Sequence, residues 1–600
     1  NDNFTFYMIP QSAVGIKVKV YFDNQASPAI VAPFTGTWKA GTTKTYALSQ
    51  SANNLKYTFE ATPNPNEAAN TEGATTSYQI TSYVDDDKQH RPVKWKVVSY
   101  DADGDGTFSM SEKPDWLTIP NEGRTTTQDV EQYTATFTAN QRDVLADFNN
   151  AMKTADPVAN YNLANATGAN SIENTANCYI ISAPGTYRIP LVYGNAIKGG
   201  STNSSAYSSS KSTKMDTEEF VLQKFLDHND DVITSPYINI QNAENQAIKA
   251  EVIWEDCQNI VSTPAVTGSG ANSYLTFEIK KENLQNGNAV VAVTNAAGTV
   301  MWSWHLWFTP KSSLKKIQFT TGSDKYNFMN DNLGWKYTKW TGGLKREVVV
   351  KIEQQAETGE KKTATITLKQ AAGNNVREGY GSLYQWGRKD PLPGTDNFYP
   401  TTGFKFNDGY TIVGDQPADY KNPANIQRME KRTIGLSIQK PGIMLPKVGG
   451  GKLGWTYRQY VNLWSADNDK LRETETPIRN GIKTIYDPSP VGFKVPDAYA
   501  FEKLSNTGAV WSNGYTLKVD NDKEIYFQAG GYRDGNDGVI KGVNNYALYW
   551  ASAALIHGTG GPGYAYRALM ASNRFSMPIT DYSNGFGTRS YAYGVRPVAE

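Results

Sequence analysis

The stretch Ala289-Val-Val-Ala-Val-Thr-Asn-Ala-Ala-Gly-Thr-Val-Met-Trp-Ser-Trp-His-Leu-Trp-Phe308 is the most apolar part of the chain. It is long enough to raise the question of a membrane-spanning helix. Its middle, however, carries the turn signal Asn295-Ala-Ala-Gly298, and β-branched and aromatic residues flank that turn. We therefore predict two apolar strands joined as a hairpin, and no membrane span in this chain.

The composition extends this β character to the whole chain. Tyrosine is abundant, with 36 residues, and clusters of Gly, Thr, Asn and Ser separate aromatic and β-branched segments. The length of 600 residues suits roughly three to five domains. Lys+Arg and Asp+Glu balance at 59 each, so no net charge attracts nucleic acid or an anionic membrane. We predict a mostly β, multi-domain protein without a nucleic-acid partner.

Local patterns predict individual elements. The alternation Ile16-Lys-Val-Lys-Val-Tyr-Phe22 is typical of a half-buried strand, and further strands are expected at 77–84 and 93–100. The segment 346–370 has the pattern of a terminal hairpin of an immunoglobulin-like unit. One helix is expected near residues 216–226, because Asp216 and Glu219 form a capping-box pattern before an apolar face.

The first 56 residues carry a resemblance. Phe4-Thr-Phe-Tyr-Met-Ile-Pro-Gln11 has the look of a strand, the alternating strand follows it, and Trp38-Lys-Ala-Gly-Thr-Thr-Lys-Thr-Tyr46 comes next. This order resembles the last third of a fimbrillin-like domain from the type V pili of Gram-negative anaerobes. The resemblance implies assembly by strand exchange with other pilus subunits. It also leads us to expect a processed chain whose earlier strands lie upstream.

The middle of the chain continues the resemblance. We expect a β-sandwich module at 57–154 and one or more β-sandwich modules, with the helix inserted, at 155–372. Three blocks in the second region, 177–195, 286–293 and 301–307, are similar to the core of fimbrillin-associated surface proteins. Cys178 and Cys257 are the two cysteines of the chain; a disulfide is one alternative, and the other is two free thiols, since free cysteine is often simply a small buried hydrophobic residue.

The last part, 376–600, resembles the C-type-lectin-like α+β fold in its bacterial form, and distantly the formylglycine-generating enzymes. The resemblance rests on ordered blocks that include Tyr384-Gln-Trp-Gly-Arg-Lys-Asp390, Tyr549-Trp-Ala-Ser-Ala553 and Arg589-Ser-Tyr-Ala-Tyr-Gly-Val-Arg-Pro-Val598. This part contains no cysteine, whereas the formylglycine-generating enzymes need thiols. The strand at Tyr549 also lacks the acid and amide residues that ligate calcium in C-type lectins, so we expect no calcium-dependent sugar binding.

The sharpest local motif is Asp101-Ala-Asp-Gly-Asp-Gly-Thr-Phe-Ser-Met-Ser-Glu112. Oxygen ligands recur at the spacing of a calcium loop, with a glycine at the sharp turn. The ligand candidates are Asp101, Asp103, Asp105, Thr107, Ser109 and Glu112. A strand precedes the loop and Pro114 prevents an immediate helix, so the surroundings differ from an EF-hand. Two alternatives stay open: a structural calcium ion, and a polar hairpin turn whose acids face water.

Enzymatic motifs are missing from the sequence. The four histidines show no metal-ligand spacing, and neither a nucleophile elbow nor a phosphate-binding loop occurs. Dispersed carboxylate pairs of the glycosidase kind leave no sequence signature, so a carbohydrate-active enzyme stays as a weaker alternative. We predict a protein that is not an enzyme and has no catalytic residues.

Ligand contact is expected in the last domain, at a long loop spanning 555–590. The candidate contact residues are His557, Tyr564, Tyr566, Arg567 and Asn573. The alternative, favoured by how common such loops are, is that these tyrosines belong to the core and the glycines only shape a turn.

The resemblances imply a cell-surface adhesion protein, a pilus tip or accessory subunit outside the outer membrane. A host protein or glycan would bind its last domain. The competing hypothesis is a surface glycan-binding protein that belongs to no pilus.

Overall fold

The computed structural model describes most of the chain. The described residues are 6–21, 30–46, 55–86, 89–123, 130–215, 218–356, 361–373, 376–399, 433–445, 460–472, 474–520, 523–535, 538–556, 563–579 and 585–600. Strands account for 44% and helices for 8%, which confirms the mostly β class. Within these ranges, no helix combines the length and apolar character that crossing a membrane requires.

The strands up to residue 143 are β1 (Gln11–Ser12), β2 (Lys17–Val20), β3 (Ile30–Pro33), β4 (Thr37–Trp38), β5 (Lys56–Pro63), β6 (Ala74–Asp86), β7 (Gln89–Pro92), β8 (Trp95–Asp101), β9 (Leu117–Thr118), β10 (Glu122–Gly123), β11 (Val130–Phe137) and β12 (Arg142–Asp143). Helix α1 (Val144–Lys153) follows, and the Asp143 carboxylate caps it by accepting the Ala146 N–H at 2.9 Å.

The strands of the central region are β13 (Val158–Asn162), β14 (Cys178–Ile181), β15 (Gly185–Pro190), β16 (Ile197–Lys198), β17 (Ser201–Thr202), β18 (Lys214–Met215), β19 (Glu218–Glu219), β20 (Lys249–Glu255), β21 (Ser262–Thr267), β22 (Tyr274–Ile279), β23 (Gly287–Thr294), β24 (Val300–Phe308), β25 (Lys316–Thr321), β26 (Asp324–Met329), β27 (Lys336–Gly342), β28 (Arg346–Gln354) and β29 (Thr363–Gln370). Helix α2 (Ile238–Gln241) is a single turn between β19 and β20.

The remaining strands are β30 (Val376–Tyr380), β31 (Tyr384–Gln385), β32 (Phe493–Lys494), β33 (Gly514–Lys518), β34 (Glu524–Gln528), β35 (Tyr532–Arg533), β36 (Ile540–Lys541), β37 (Ala547–Ile556), β38 (Gly563–Ala571), β39 (Arg574–Ser576), β40 (Phe586–Thr588), β41 (Ala592–Tyr593) and β42 (Val598–Ala599). Helix α3 (Thr433–Gln439) lies between β31 and β32. Short 3-10 turns occur at Met110–Glu112, Ser204–Ala206, Gly270–Asn272, Lys311–Leu314 and Ala498–Phe501.

The chain divides into two compact units. Unit 1 consists of residues 1–142 and 342–374, and unit 2 consists of residues 143–341 and 375–600. This division differs from the consecutive modules predicted from the sequence. Residues 342–374 return to the first unit because β28 pairs with β8 over 250 residues earlier in the chain. Residues after 375 share a core with residues after 143, so the last third is not a separate unit.

Unit 1 is built around two antiparallel sheets. One has the strand order β5-β6-β11-β9, with β7 beside β6, and the other has the order β10-β8-β28-β29. Alternate side chains of both sheets meet in one core, whose largest members are Tyr78, Trp95, Tyr100 and Phe137. The buried amide of Gln354 on β28 donates to the Ser82 hydroxyl of β6 at 3.1 Å. The predicted strands at 77–84 and 93–100 and the predicted hairpin at 346–370 are confirmed.

The N-terminal part of unit 1 forms two small sheets. Strand β1 pairs with β4, and β2 pairs with β3. The alternating strand predicted at 16–22 is confirmed for Lys17–Val20, while residue 22 lies outside the described residues. The strand predicted to begin at Phe4 is wrong for residues 6–9, which pair with no strand and are exposed.

The core of unit 2 is organised by the hairpin of β23 and β24. Every residue of both strands is buried, and their sheet has the order β14-β24-β23-β20. The hairpin predicted from the apolar stretch is confirmed, and its turn closes where the Gly298 N–H donates to the Asn295 carbonyl at 3.1 Å. Full burial of both faces explains why this stretch lacks the polar alternation of a half-exposed strand.

Further sheets surround that hairpin in unit 2. Their strand orders are β13-β15-β22-β21, β25-β26-β42-β32, β31-β41-β35-β36, and β37-β38-β39 with β40 beside β38. Shorter pairs are β16-β17, β18-β19 and β33-β34, and β27 pairs with β30 in the three-stranded sheet β12-β27-β30. Cys178 and Cys257 are both buried and are not joined by a disulfide, so of the two alternatives the structure has two free thiols.

The helix predicted near residues 216–226 is wrong. Strands β18 and β19 form a small antiparallel hairpin there, and Asp216 lies outside the described residues. Glu219 does not cap a helix, because its Oε1 accepts the N–H groups of Thr213 and Val221 at 2.9 and 3.2 Å. The apolar residues that suggested one helical face, such as Phe220 and Phe225, are buried in the core of unit 2 without any helix. Tertiary burial has overridden the local capping pattern here.

Candidate functional site

The predicted calcium loop projects from the end of β8 in unit 1. Tyr100 and Ser109 close it with two backbone hydrogen bonds, of 3.0 and 2.8 Å. Gly104 and Gly106 have φ angles of +76° and +84°, a left-handed conformation that favours glycine. The Asp-Gly-Asp-Gly sequence therefore forms the compact turn that the spacing predicted.

Three of the predicted ligands converge. Asp101, Asp103 and Asp105 each place a carboxylate oxygen within 4.8 Å of the others, and this is the one such cluster of acid, histidine or cysteine ligands among the described residues. Asp101 is buried, whereas Asp103 and Asp105 are exposed. Oxygen atoms at this separation suit a hard divalent cation such as calcium.

The same carboxylates also organise the loop backbone. The two oxygens of Asp101 accept the N–H groups of Gly104 and Gly106 at 2.8 and 3.1 Å. Asp105 Oδ1 accepts the Thr107 N–H at 2.6 Å. A carboxylate has about four lone-pair positions, so these bonds leave acceptor capacity for a cation.

The other three predicted ligands are not brought to the same point. Glu112 lies outside the converging group, and its Oε2 accepts the Ala102 N–H at 3.2 Å. The Ser109 hydroxyl lies 2.6 Å from the Ser111 hydroxyl and caps the short 3-10 turn. The Thr107 side chain is exposed. The loop therefore offers three acidic ligands together, and Glu112 would have to turn inward to close a cage.

The predicted contact region at 555–590 is not one long loop. Strand β38 runs through it and pairs with β37, β39 and β40, so this prediction is wrong. Tyr566 is buried and packs edge-on against Phe586, with ring centroids 5.0 Å apart. It cannot serve as a surface contact, as the alternative interpretation of this region held.

The other predicted contact residues are dispersed. Arg567 is half-buried, and its Nε donates to the Phe586 carbonyl at 2.7 Å. Tyr564 is half-buried, and Asn573 is exposed in the turn between β38 and β39. His557 lies outside the described residues. The described candidates therefore do not form one exposed surface.

Unit 2 contains a cleft that sequence reasoning did not find. Its volume is about 440 Å³, and it is lined by Thr338, Glu378, Gly379, Tyr380, Gly394, Thr395, Asp396, Ile540, Val543 and Asn544. The lining comes from four separate segments on or next to β27, β30 and β36. A β-bulge in β27 falls between Tyr337 and Lys339, so Thr338 is the extra residue beside the cleft.

A buried polar cluster lies next to this cleft. Lys336 pairs with the cleft residue Tyr380 across β27 and β30, and its Nζ lies 5.7 Å from the Tyr380 ring centroid. The ammonium donates to the Asp256 carbonyl at 2.7 Å and to Cys257 Sγ at 3.0 Å. Burial alone would lower the pKa of Lys336, but the charges of Asp256, Cys257 and Tyr380 outweigh it and raise that pKa. Lys336 therefore stays cationic, and its ammonium lies beside the Tyr380 ring.

Unit 2 also buries a histidine whose imidazole ring makes no hydrogen bond within the described part of the chain. Neither ring nitrogen of His228 has a hydrogen-bond partner among the described residues, and Nδ1 lies 4.0 Å from Asp227 Oδ2. Burial lowers the pKa of His228, while Asp227 and Asp231 raise it by a smaller amount. The neutral imidazole is therefore the form that the fold stabilises.

His228→Leu is expected to stabilise unit 2 by about 1–3 kcal/mol at pH 7, because it removes an unsatisfied buried polar group. The folded-state pKa of His228 lies below its unfolded value of about 6.5, so the wild-type chain loses stability as pH falls through that value. Calorimetry at pH 7 and pH 5 should show a smaller acid-induced fall in Tm for the variant. His90→Leu, at an exposed histidine, is the control; equal acid sensitivity of wild type and His228→Leu would refute the account.

Comparison with protein-family models, with curated proteins and with solved structures finds no match to this chain.

Proposed function

We propose that this protein is a cell-surface adhesion subunit, a tip or accessory component of a type V pilus. In this proposal, strand addition at the N-terminal part of unit 1 attaches it to other pilus subunits. The last third carries the C-type-lectin-like fold and contacts a host protein or glycan. The protein acts outside the outer membrane, and its function is binding and not catalysis. The observation that supports this most directly is the architecture of residues 6–46.

The described residues of this part, 6–21 and 30–46, form two small pairs of strands. Among the described residues, β2 and β3 pair only with each other, so each strand keeps one edge without a strand partner. Apolar side chains that precede β2 in the chain are exposed to water: Tyr7 is 97% exposed, and Phe6, Ile9 and Val14 are also exposed. Free strand edges beside exposed apolar groups favour pairing with another chain. A donor strand from a neighbouring subunit would satisfy the edge and cover the apolar groups together.

The free edge of β2 can be identified from its register. The Phe34 N–H donates to the Ile16 carbonyl at 2.9 Å, and Lys19 lies opposite Val31. Bonded and non-bonded pairs alternate along an antiparallel ladder, so the Lys19 N–H points away from β3. It is therefore available to an added strand.

Lys19→Pro is expected to abolish co-purification of pilin subunits with the intact chain, because proline removes this outward N–H. Lys19→Ala is the matched control, since it removes the charge and keeps the N–H, and it should retain the pilins. The measurement is affinity isolation from the producing cells, with mass spectrometry of the partners. Recovery of no pilin by the wild-type chain, or equal recovery by both variants, would contradict the proposal.

The competing proposal is a surface glycan-binding protein that belongs to no pilus. It also assigns binding to the last third of the chain, but it does not require strand addition at the free edge of β2. The cluster of Asp101, Asp103 and Asp105 serves either proposal in the same way. We propose that it binds a structural calcium ion that stiffens the loop after β8.

A further inference from the structure

The acidic residues of the cleft in unit 2 are balanced by cations. Glu378 lies 3.9 Å from the Lys339 ammonium, and Asp396 lies 3.3 Å from the Arg533 guanidinium. The carboxylates would repel an anionic ligand, and the paired cations reduce their attraction for a polyamine. The lining therefore presents hydrogen-bonding oxygens without a strong net charge.

The remaining lining makes the cleft amphipathic. Ile540 and Val543 contribute an aliphatic wall, whereas Thr338, Thr395 and Asn544 contribute hydroxyl and amide groups. Tyr380 contributes an aromatic ring with a hydroxyl group. Such a mixture of apolar surface and convergent polar groups is typical of small-molecule sites. A ring that carries hydroxyl groups on its rim and C–H groups on its faces matches both kinds of surface.

The cleft is held in place by buried groups. Arg533 is fully buried, and it fixes one side by donating from Nε to the Pro393 carbonyl at 2.9 Å and from Nη2 to the Thr395 carbonyl at 3.1 Å. A Cβ at Gly379 would lie 2.3 Å from the Lys336 carbonyl oxygen, and a Cβ at Gly394 would lie 2.0 Å from the Gly381 carbonyl oxygen. Only glycine permits these close approaches, so the floor is tightly packed. A pre-formed cleft lowers the ordering cost of binding.

We propose that this cleft is a binding site for a short neutral saccharide. The proposal rests on the binding role proposed for the last third of the chain, which supplies every lining residue except Thr338. The saccharide packs a C–H face against Ile540 and Val543 and exchanges hydrogen bonds with Glu378, Asp396 and Asn544. Its binding does not depend on calcium, because the lining residues act directly on the hydroxyl groups. None of the cleft's lining residues belongs to β38, where the sequence indicated contact residues.

The test uses the intact chain and an array of neutral, sialylated and sulfated oligosaccharides with oligolysine peptides, all in the presence of EDTA. Thr338→Trp fills the cleft from an exposed position, and Asp396→Asn keeps the shape while removing the charge. Thr267→Trp is the matched control, because it places the same side chain at an exposed position on β21. Titration of the best neutral hit then gives the affinity of each variant.

The expected result is retention of neutral saccharides in EDTA, with affinity at least about tenfold lower in Thr338→Trp and unchanged in Thr267→Trp. A tenfold loss corresponds to about 1.4 kcal/mol. Selective retention of oligolysine or of anionic glycans would overturn the saccharide assignment, and so would an unchanged affinity in Thr338→Trp. Failure of saccharide binding with pilin co-purification intact would reject this site and leave the pilus proposal standing.

Discussion

Arg596→Met is expected to destabilise unit 2 by about 3–5 kcal/mol, because it leaves several buried acceptors without a hydrogen-bond donor. The guanidinium is completely buried. Its Nη1 donates to Asn332 Oδ1, the Tyr526 carbonyl and Gln528 Oε1 at 2.9, 3.0 and 2.9 Å, and its Nη2 donates to the Asn330 carbonyl at 2.6 Å. Methionine fills part of the volume but donates no hydrogen bond.

The measurement for Arg596→Met is urea unfolding or calorimetry of the intact chain, following the transition of unit 2. Arg574→Met is the matched control, because Arg574 is exposed on β39 and its loss should change stability by about 0.5 kcal/mol or less. Burial lowers the pKa of Arg596, but its guanidinium still donates hydrogen bonds to the surrounding acceptors. A variant as stable as the wild type would show that the acceptors find other partners.

Removing calcium is expected to lower the Tm of unit 1. At a free calcium concentration one hundred times the dissociation constant, a bound ion stabilises a fold by about 2.7 kcal/mol. Excess EDTA should remove that contribution in the wild-type chain. Asp105→Ala should have the lower Tm even in calcium and should not respond to EDTA, because one of the three converging carboxylates is gone.

The EDTA response separates calcium binding from ordinary turn stability. Asp105 also accepts the Thr107 N–H, so its replacement weakens the turn even without an ion. Asp115→Ala is the control, since Asp115 is exposed just beyond the loop and outside the converging group. It should respond to EDTA as the wild type does. If the wild-type Tm is the same in millimolar calcium and in EDTA, the loop is an ordinary polar turn and binds no calcium.

The local sequence was sufficient to predict those structures in which the interacting segments follow one another along the chain. The hairpin of β23 and β24 follows from an apolar run interrupted by a turn, and the acidic loop follows from the spacing of Asp101, Asp103 and Asp105. The hairpin of β28 and β29 was predictable for the same reason. In each case the partners are consecutive strands or side chains of one loop.

The contact residues proposed for the last domain show the limit of such reasoning. Tyr564, Tyr566 and Arg567 follow a glycine-rich segment and suggest an exposed loop, but β38 pairs with three other strands. Strand alternation then buries Tyr566 and restricts Arg567. The helix predicted near residue 220 failed in the same way, because its apolar residues are needed in the core of unit 2.

The sequence by itself determined the β class, the main hairpins and the acidic loop, because turn chemistry and hydrophobic periodicity act over a few residues. Only the tertiary structure decided the two units, since the pairing of β28 with β8 joins segments separated by residues 143–341 of unit 2. The cleft likewise required the fold. Thr338, Glu378, Asp396 and Asn544 share no local pattern, and they become neighbours only when distant segments pack beside one another.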